Sequence, residues 1–212
     1  MQSNSEIVTC GILLKGTSLQ WRQSEANARV CYINGTIFTN GRHTHVVTCR
    51  NVPASFDNII VVFKNNRYNV KIDFQIPEFS LVIMKLEMEH PESTVIPLDV
   101  VIPKKNVEYY IVCVNQDESI ERVATNMVSC NVNTSDRLPK ILMYVFKHDI
   151  FNIGMTGAMI VDCNNCPIGI IIDVVGNHTN VVPFEYVKRC MRDYTLFSKC
   201  RKKYSGPKTL PF

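Results

Sequence analysis

The sequence predicts an all-β chain that ends in a single helix, and three observations carry that expectation. Runs of β-branched and aromatic residues recur at short intervals with Gly, Asn and Pro between them. Apolar residues repeat at helical spacing in one place, near the C-terminus. Between these lies Gly154-Met155-Thr156-Gly157-Ala158, followed by an apolar run, the polar tip Asp162-Cys163-Asn164-Asn165-Cys166-Pro167 and a second apolar run to Ile172. Gly and Asn supply turn geometry between β-branched runs, so this stretch reads as a β-hairpin hung on a special loop.

In chain order, Ile7 to Leu14 alternates loosely and reads as an opening strand, and Lys15 to Ala28 is polar. Arg29 to Ile33, Gly35 to Phe38 and His45 to Cys49 read as three short β-segments, with Thr39-Asn40-Gly41-Arg42 as a turn. Asn58 to Phe63 and Tyr68 to Phe74 form a hairpin about a turn over 64–67, and Ser80 to Leu86 is a further apolar run. Glu87 to Ser93 is charged and Pro-containing, which suits a crossing between two units. Glu108 to Val114, Arg122 to Val132, Lys140 to Val145 and His178 to Pro183 are the later strands. Phe184, Val187, Cys190 or Met191, Tyr194 and Phe197 then fall on one face of a helix, with Lys188, Arg189, Arg192 and Asp193 off it.

Composition limits the function classes. A chain of 212 residues with 46% hydrophobic and 20% charged residues is that of an ordinary globular protein. No apolar run approaches the ~18–20 residues of a membrane span, so a soluble protein without a membrane partner is expected. Met1 to Glu6 lacks the basic and apolar regions of a secretory signal, which points to the cytoplasm or nucleus; a secreted protein whose signal has been removed is the alternative. Nine cysteines in no compact spacing read mostly as reduced thiols. Sequons begin at Asn34, Asn133 and Asn177 and matter only in the secreted case. The net charge of +4 belongs to the C-terminus, where Lys188, Arg189, Arg192, Lys199, Arg201, Lys202, Lys203 and Lys208 face Asp193 alone.

The loop and hairpin at 154–172 resemble the nucleophile region of the trypsin/chymotrypsin-like serine proteases, G-D-S-G-G-P-L followed by a strand, a turn and a G-I-V strand. Two further stretches fall in that family's order. Gly35-Thr36-Ile37-Phe38 and Val46-Val47-Thr48-Cys49-Arg50-Asn51-Val52 are similar to its G-S-L-I and V-L-T-A-A-H-C segments, and Ser80 to Leu86 is similar to D-I-A-L-L-K-L. The resemblance covers roughly residues 7–197. It implies two β-barrels of the six-stranded type, over 1–93 and 94–183, a C-terminal helix over 184–198 and a basic tail over 199–212.

The same resemblance places the catalytic positions and finds them changed. The general-base His falls on Asn51, whose amide has no useful basicity near neutral pH. The orienting Asp falls on Ser80, and a slip of two residues toward Glu78 spoils the match at Lys85-Leu86. The nucleophile falls on Thr156. An alcohol is a poor nucleophile without proton removal, so three changes together imply that this chemistry is absent or has moved. The Asp that pairs with a freed N-terminus is Met155, the base of the specificity pocket is Ile150, and Gly154 keeps the turn that forms an oxyanion hole.

These positions lead to the expectation of a protein without enzymatic activity, needing no cofactor or metal. It would be a scaffold that binds a protein partner, as an extended peptide at the vestigial cleft Gly154-Met155-Thr156 or through the barrel surface, which also serves self-association. The alternative is an active protease with relocated residues drawn from His43, His45, Cys49 and Cys163, the pairing His45 with Cys163 being one such. A second alternative uses Lys199, Arg201, Lys202 and Lys203 to bind the phosphates of a nucleic acid. Cys163-Asn164-Asn165-Cys166 has CxxC spacing, but no second pair supplies a four-ligand zinc site and the motif spans a hairpin tip rather than a helix start. The family resemblance also brings Cys113 and Cys163 near positions that some members join by a disulfide, which applies to the secreted alternative.

Overall fold

Alternation of apolar and polar residues closes two sheets on themselves. The structure, a computed structural model, describes residues 9–16, 29–40, 43–49, 58–63, 66–76, 81–86, 101–115, 117–132, 142–149 and 155–204. The first barrel is built from β1 (Thr9–Gly16), β2 (Arg29–Asn40), β3 (His43–Cys49), β4 (Asn58–Phe63), β5 (Asn66–Ile76) and β6 (Leu81–Leu86), closed in the order β1-β2-β3-β6-β5-β4. The second uses β7 (Glu108–Val114), β8 (Ile120–Val132), β9 (Leu142–His148), β10 (Met159–Val161), β11 (Pro167–Val175) and β12 (His178–Pro183), closed as β10-β11-β12-β9-β8-β7. Closure pairs each strand with a neighbour on both sides over at least part of its length, and β11 runs on past the three-residue β10.

The expected all-β double barrel with a C-terminal helix is therefore the fold, with local differences. The two short segments expected over 29–38 are one strand, β2, because Asn34 continues the extended chain instead of breaking it. Helix α1 spans Phe184–Tyr204 and runs on through the beginning of the segment read as a tail. Among the described residues no helix is long and apolar enough to cross a membrane.

Burial follows the two-residue period of a strand. Along β8, Val123, Thr125 and Met127 point inward while Arg122, Ala124 and Asn126 face out. The interior of barrel 2 gathers Tyr109, Ile111, Phe146, Met155, Ile160 and Val181, with Tyr109 and Phe146 in an edge-to-face contact. A separate core joins the outer faces of both barrels to the helix: Val47 and Leu81 from barrel 1, Ile170 and Val182 from barrel 2, and Phe184, Val187 and Met191 from α1. This shared core fixes the seam between the barrels.

Candidate functional site

The seam is where the chain places its special loop. Met155 to Ala158 forms a tight turn, closed by the Ala158 N–H donating to Met155 O at 2.9 Å. The Gly157 N–H donates to Ile171 O at 2.8 Å and the Ile171 N–H donates to Ala158 O at 2.9 Å, which locks the turn onto β11. Gly157 has φ of +86°, and a Cβ there would lie 2.0 Å from the Asn34 carbonyl oxygen. Only glycine permits that approach of barrel 1 to the loop.

Asn34 is the clasp on the other side. Its backbone N–H donates to Thr156 O at 3.3 Å, and its carbonyl accepts from Thr48 Oγ1 at 2.7 Å. Its side chain crosses to β7, where Oδ1 accepts from the Val114 N–H at 2.6 Å and Nδ2 donates to Val114 O at 3.4 Å. Asn34 is 2% exposed, so the sequon Asn34-Gly35-Thr36 cannot carry a glycan in the folded protein. Cys49, at the end of β3, donates its thiol to Ile172 O at 3.2 Å. Residues from β2, β3, β7, β11 and the loop thus converge on one point, with Thr156 half-buried among them.

The sequence-derived positions are distributed unevenly about this point. Thr156 stands in the turn, and Met155 is fully buried in the interior of barrel 2. Asn51, Ser80, Ile150 and Gly154 lie outside the described residues. Lys199, Arg201, Lys202 and Lys203 continue the backbone of α1, while their side chains lie outside the described residues. The side chain of His43 lies outside them as well.

The pair His45 and Cys163 is not brought together. His45 is 5% exposed on β3, with Nε2 3.4 Å from Asp73 Oδ2 and its ring stacked on Phe38. Tyr194 of α1 donates its hydroxyl to Asp73 Oδ1 at 3.3 Å and stacks on Phe74 at 3.9 Å between centroids. Sequence reasoning singled out His45 but missed Asp73 and Tyr194, because their meeting depends on how the helix returns to barrel 1. Cys163 sits instead at the exposed tip of the β10–β11 hairpin. The Asp162 carboxylate organises that tip by accepting from the N–H groups of Asn164 at 2.9 Å and Cys166 at 2.8 Å, and Asn165 takes φ of 62°. Arg122 donates to Asn165 Oδ1 at 2.8 Å and lies over the Tyr110 ring.

Cys10, Cys113, Cys130 and Cys163 form no disulfide. Cys113 faces the barrel 2 interior, and burial, followed by the charge of Glu121, pushes its thiol up to about 11. Burial raises the Cys10 thiol in barrel 1 further still. Both are held protonated, which suits packing and not nucleophilic attack. Among the described residues no group of three or more His, Cys, Asp or Glu is placed to hold a metal ion.

A second polar cluster, which sequence reasoning did not single out, lies inside barrel 2. His148 is 2% exposed and Thr179 is fully buried, and neither the two ring nitrogens of His148 nor Thr179 Oγ1 has a hydrogen-bond partner among the described residues. Its only trace in the sequence is the position of two polar residues at inward places of otherwise apolar strands.

No family model and no curated protein matches the chain. Solved structures do. The Rv3671c protease from M. tuberculosis in its active form has a TM-score of 0.64 at 12% identity, over 84% of this chain and 77% of that one. AlgW, an HtrA-type protease solved with a tripeptide, has a TM-score of 0.68 at 14% identity, over 90% of this chain and 60% of that one. The serine endoprotease from Yersinia pestis has a TM-score of 0.67 at 14% identity, over 90% of this chain and 63% of that one. The fold is the double barrel of the HtrA and trypsin-like serine proteases. The expectation of a protein without enzymatic activity is corrected by these neighbours: all are serine proteases, and the fold is shared with enzymes that cleave peptides. Changes at three positions of a motif report on those side chains alone, and the loop that presents Thr156 is intact in its hydrogen bonding.

Proposed function

We propose that the protein is a peptidase of the double-barrel serine-protease fold, with Thr156 as its nucleophile and an extended peptide as its substrate. The observation that supports this most is the Met155–Gly157 turn, held on the interbarrel seam by bonds to Asn34 and Ile171. The turn carries a hydroxyl, the functional group of serine, where the family resemblance sets the nucleophile. Beside it, Asp173 to Val175 pair with β12 on one side, and among the described residues no strand pairs with them on the other. A peptide added there as a further strand would lie next to Thr156.

The hydroxyl oxygen would bond to the scissile carbonyl carbon as its proton passes to a base, and the peptide nitrogen would then leave with a proton. Asn51 cannot take that proton. His45 is also unsuited, because it is buried beside Asp73 and lies four residues, about 13 Å of strand, before Cys49. The acceptor is therefore a group outside the family's usual position. A well-placed general base contributes about 10²–10⁴-fold, so a slow enzyme is the expectation.

The test is digestion of a mixed peptide library by the full chain, read by mass spectrometry, beside Thr156→Ala and Thr156→Ser. Thr156→Ala should lower cleavage by at least about 10²-fold, and Thr156→Ser should retain it. Cleavage that is unchanged in Thr156→Ala, or absent from the wild-type chain across the library, overturns the reading.

A further inference from the structure

The polar atoms inside barrel 2 identify what such a substrate would carry. On β9, Tyr144, Phe146 and His148 face inward; on β12, Thr179 and Val181 do so. Thr179 pairs with Phe146 across the two strands, and the His148 N–H donates to Asn177 O at 3.0 Å, two residues before Thr179. His148 and Thr179 are thus diagonal neighbours on one inner surface, at a separation of roughly 7–8 Å between backbones and less between side chains. Thr125, opposite His148 on β8, has its hydroxyl engaged with Lys147 O at 2.8 Å, so it does not serve them.

A buried polar group without a partner costs about 1–3 kcal/mol, and each one in a folded protein calls for a physical reason. Three such atoms at one place are not a packing requirement, since leucine and valine would fill these positions without that cost. Their position relative to the seam supplies a reason. Val181 pairs with Ile171, the residue whose carbonyl accepts the Gly157 N–H, and Thr179 lies two residues from Val181 on the same face. Two residues of strand span about 7 Å. That is the reach of one long side chain from a peptide backbone held at the turn.

We propose that His148 and Thr179 form a subsite for a side-chain carboxamide, that of glutamine or asparagine, on a bound peptide. A neutral imidazole offers one donor and one acceptor, and a hydroxyl offers both. A carboxamide matches this set, since its oxygen accepts and its nitrogen donates. A carboxylate fits less well: it only accepts, and among the described residues no Lys or Arg is buried in the barrel 2 interior to balance a buried charge. A hydrocarbon side chain leaves all three atoms unmet.

This inference rests on the peptide site proposed above, so the experiment separates the two by measuring binding without turnover. Acetylated tripeptide amides ending in Gln, Asn, Glu or norleucine are titrated by calorimetry into the full chain carrying Thr156→Ala, with the imidazole ¹⁵N resonances of His148 followed by NMR. The Gln or Asn peptide should bind at least about tenfold more tightly than the norleucine peptide and should shift the His148 resonances. Thr179→Val and His148→Leu should each abolish the preference, with folding verified by thermal denaturation. Equal affinity for Gln and norleucine peptides, as expected if an internal water alone satisfies these atoms, overturns the proposal. So does a preference that survives both substitutions, or a preference for Glu that grows as pH falls. A carboxamide preference accompanied by cleavage that ignores Thr156 keeps the subsite and removes the nucleophile. Thr156-dependent cleavage with no carboxamide preference does the reverse.

Discussion

The two buried histidines, one in each barrel, stand in opposite chemical situations. His45 projects from the outer face of barrel 1 into the space beneath α1, with Asp73 beside Nε2, Phe38 stacked on the ring and Tyr194 bonded to the same carboxylate. His148 projects into barrel 2, where neither nitrogen has a partner among the described residues. Both are exposed to only a few per cent. The difference lies at Nε2: that of His45 faces a carboxylate tied to the helix, while that of His148 meets no hydrogen-bond partner among the described residues.

Removing each histidine breaks this comparison in opposite directions. His45→Ala opens a cavity and leaves the Asp73 carboxylate, about a quarter exposed, without its imidazole neighbour. The expected loss is about 3 kcal/mol, a fall in Tm of roughly 6–12 °C for a chain of this size. A loss below about 1 kcal/mol in chemical denaturation would mean that Asp73 is well served by solvent and that His45 is incidental. His148→Leu has a smaller expected effect with the other sign. It replaces an unpartnered polar ring by an apolar group of similar volume, so stability should stay level or rise by about 1 kcal/mol. Destabilisation beyond about 2 kcal/mol would show that His148 is engaged in the folded state, and the contrast with His45 would fail.

Much of this architecture was legible in the sequence, and what escaped has a physical cause. β-branched runs and their turns announce strands, since a strand needs only a local pattern of period two. The hairpin at Cys163 to Cys166 was readable for that reason, and the helix face through Phe184, Val187 and Met191 likewise. Asn34 was read as a sequon because three residues suffice to define one, whereas its role as a clasp depends on Val114, eighty positions away. Asp73 and Tyr194 are separated by 121 positions, and no local pattern links them. His148 and Thr179 leave no decisive signal in the sequence, because an inward polar residue on one strand gains meaning only when the neighbouring strand adds a second. The function inferred from Asn51, Ser80 and Thr156 erred in the same way: the identity of three side chains was taken for the state of a site whose backbone is fixed by Asn34, Gly157 and Ile171.

The smallest expected effect tests whether Asp73 joins barrel 1 to the helix or merely lies between them. Tyr194→Phe removes one hydroxyl while keeping the ring that stacks on Phe74. The hydrogen bond it loses, at 3.3 Å to a carboxylate partly open to water, should be worth about 0.5–1 kcal/mol. The informative quantity is the coupling in a double-mutant cycle with Asp73→Asn, measured by denaturant unfolding. A coupling near 0.5 kcal/mol identifies the Tyr194–Asp73 bond as a real tie between β5 and α1. A coupling of zero, with both single variants equally stable, assigns helix docking to the apolar contacts of Phe184, Val187 and Met191 alone. In that case His45 and Asp73 would form a pair confined to barrel 1, and the contrast between the two histidines would rest on the carboxylate without the helix.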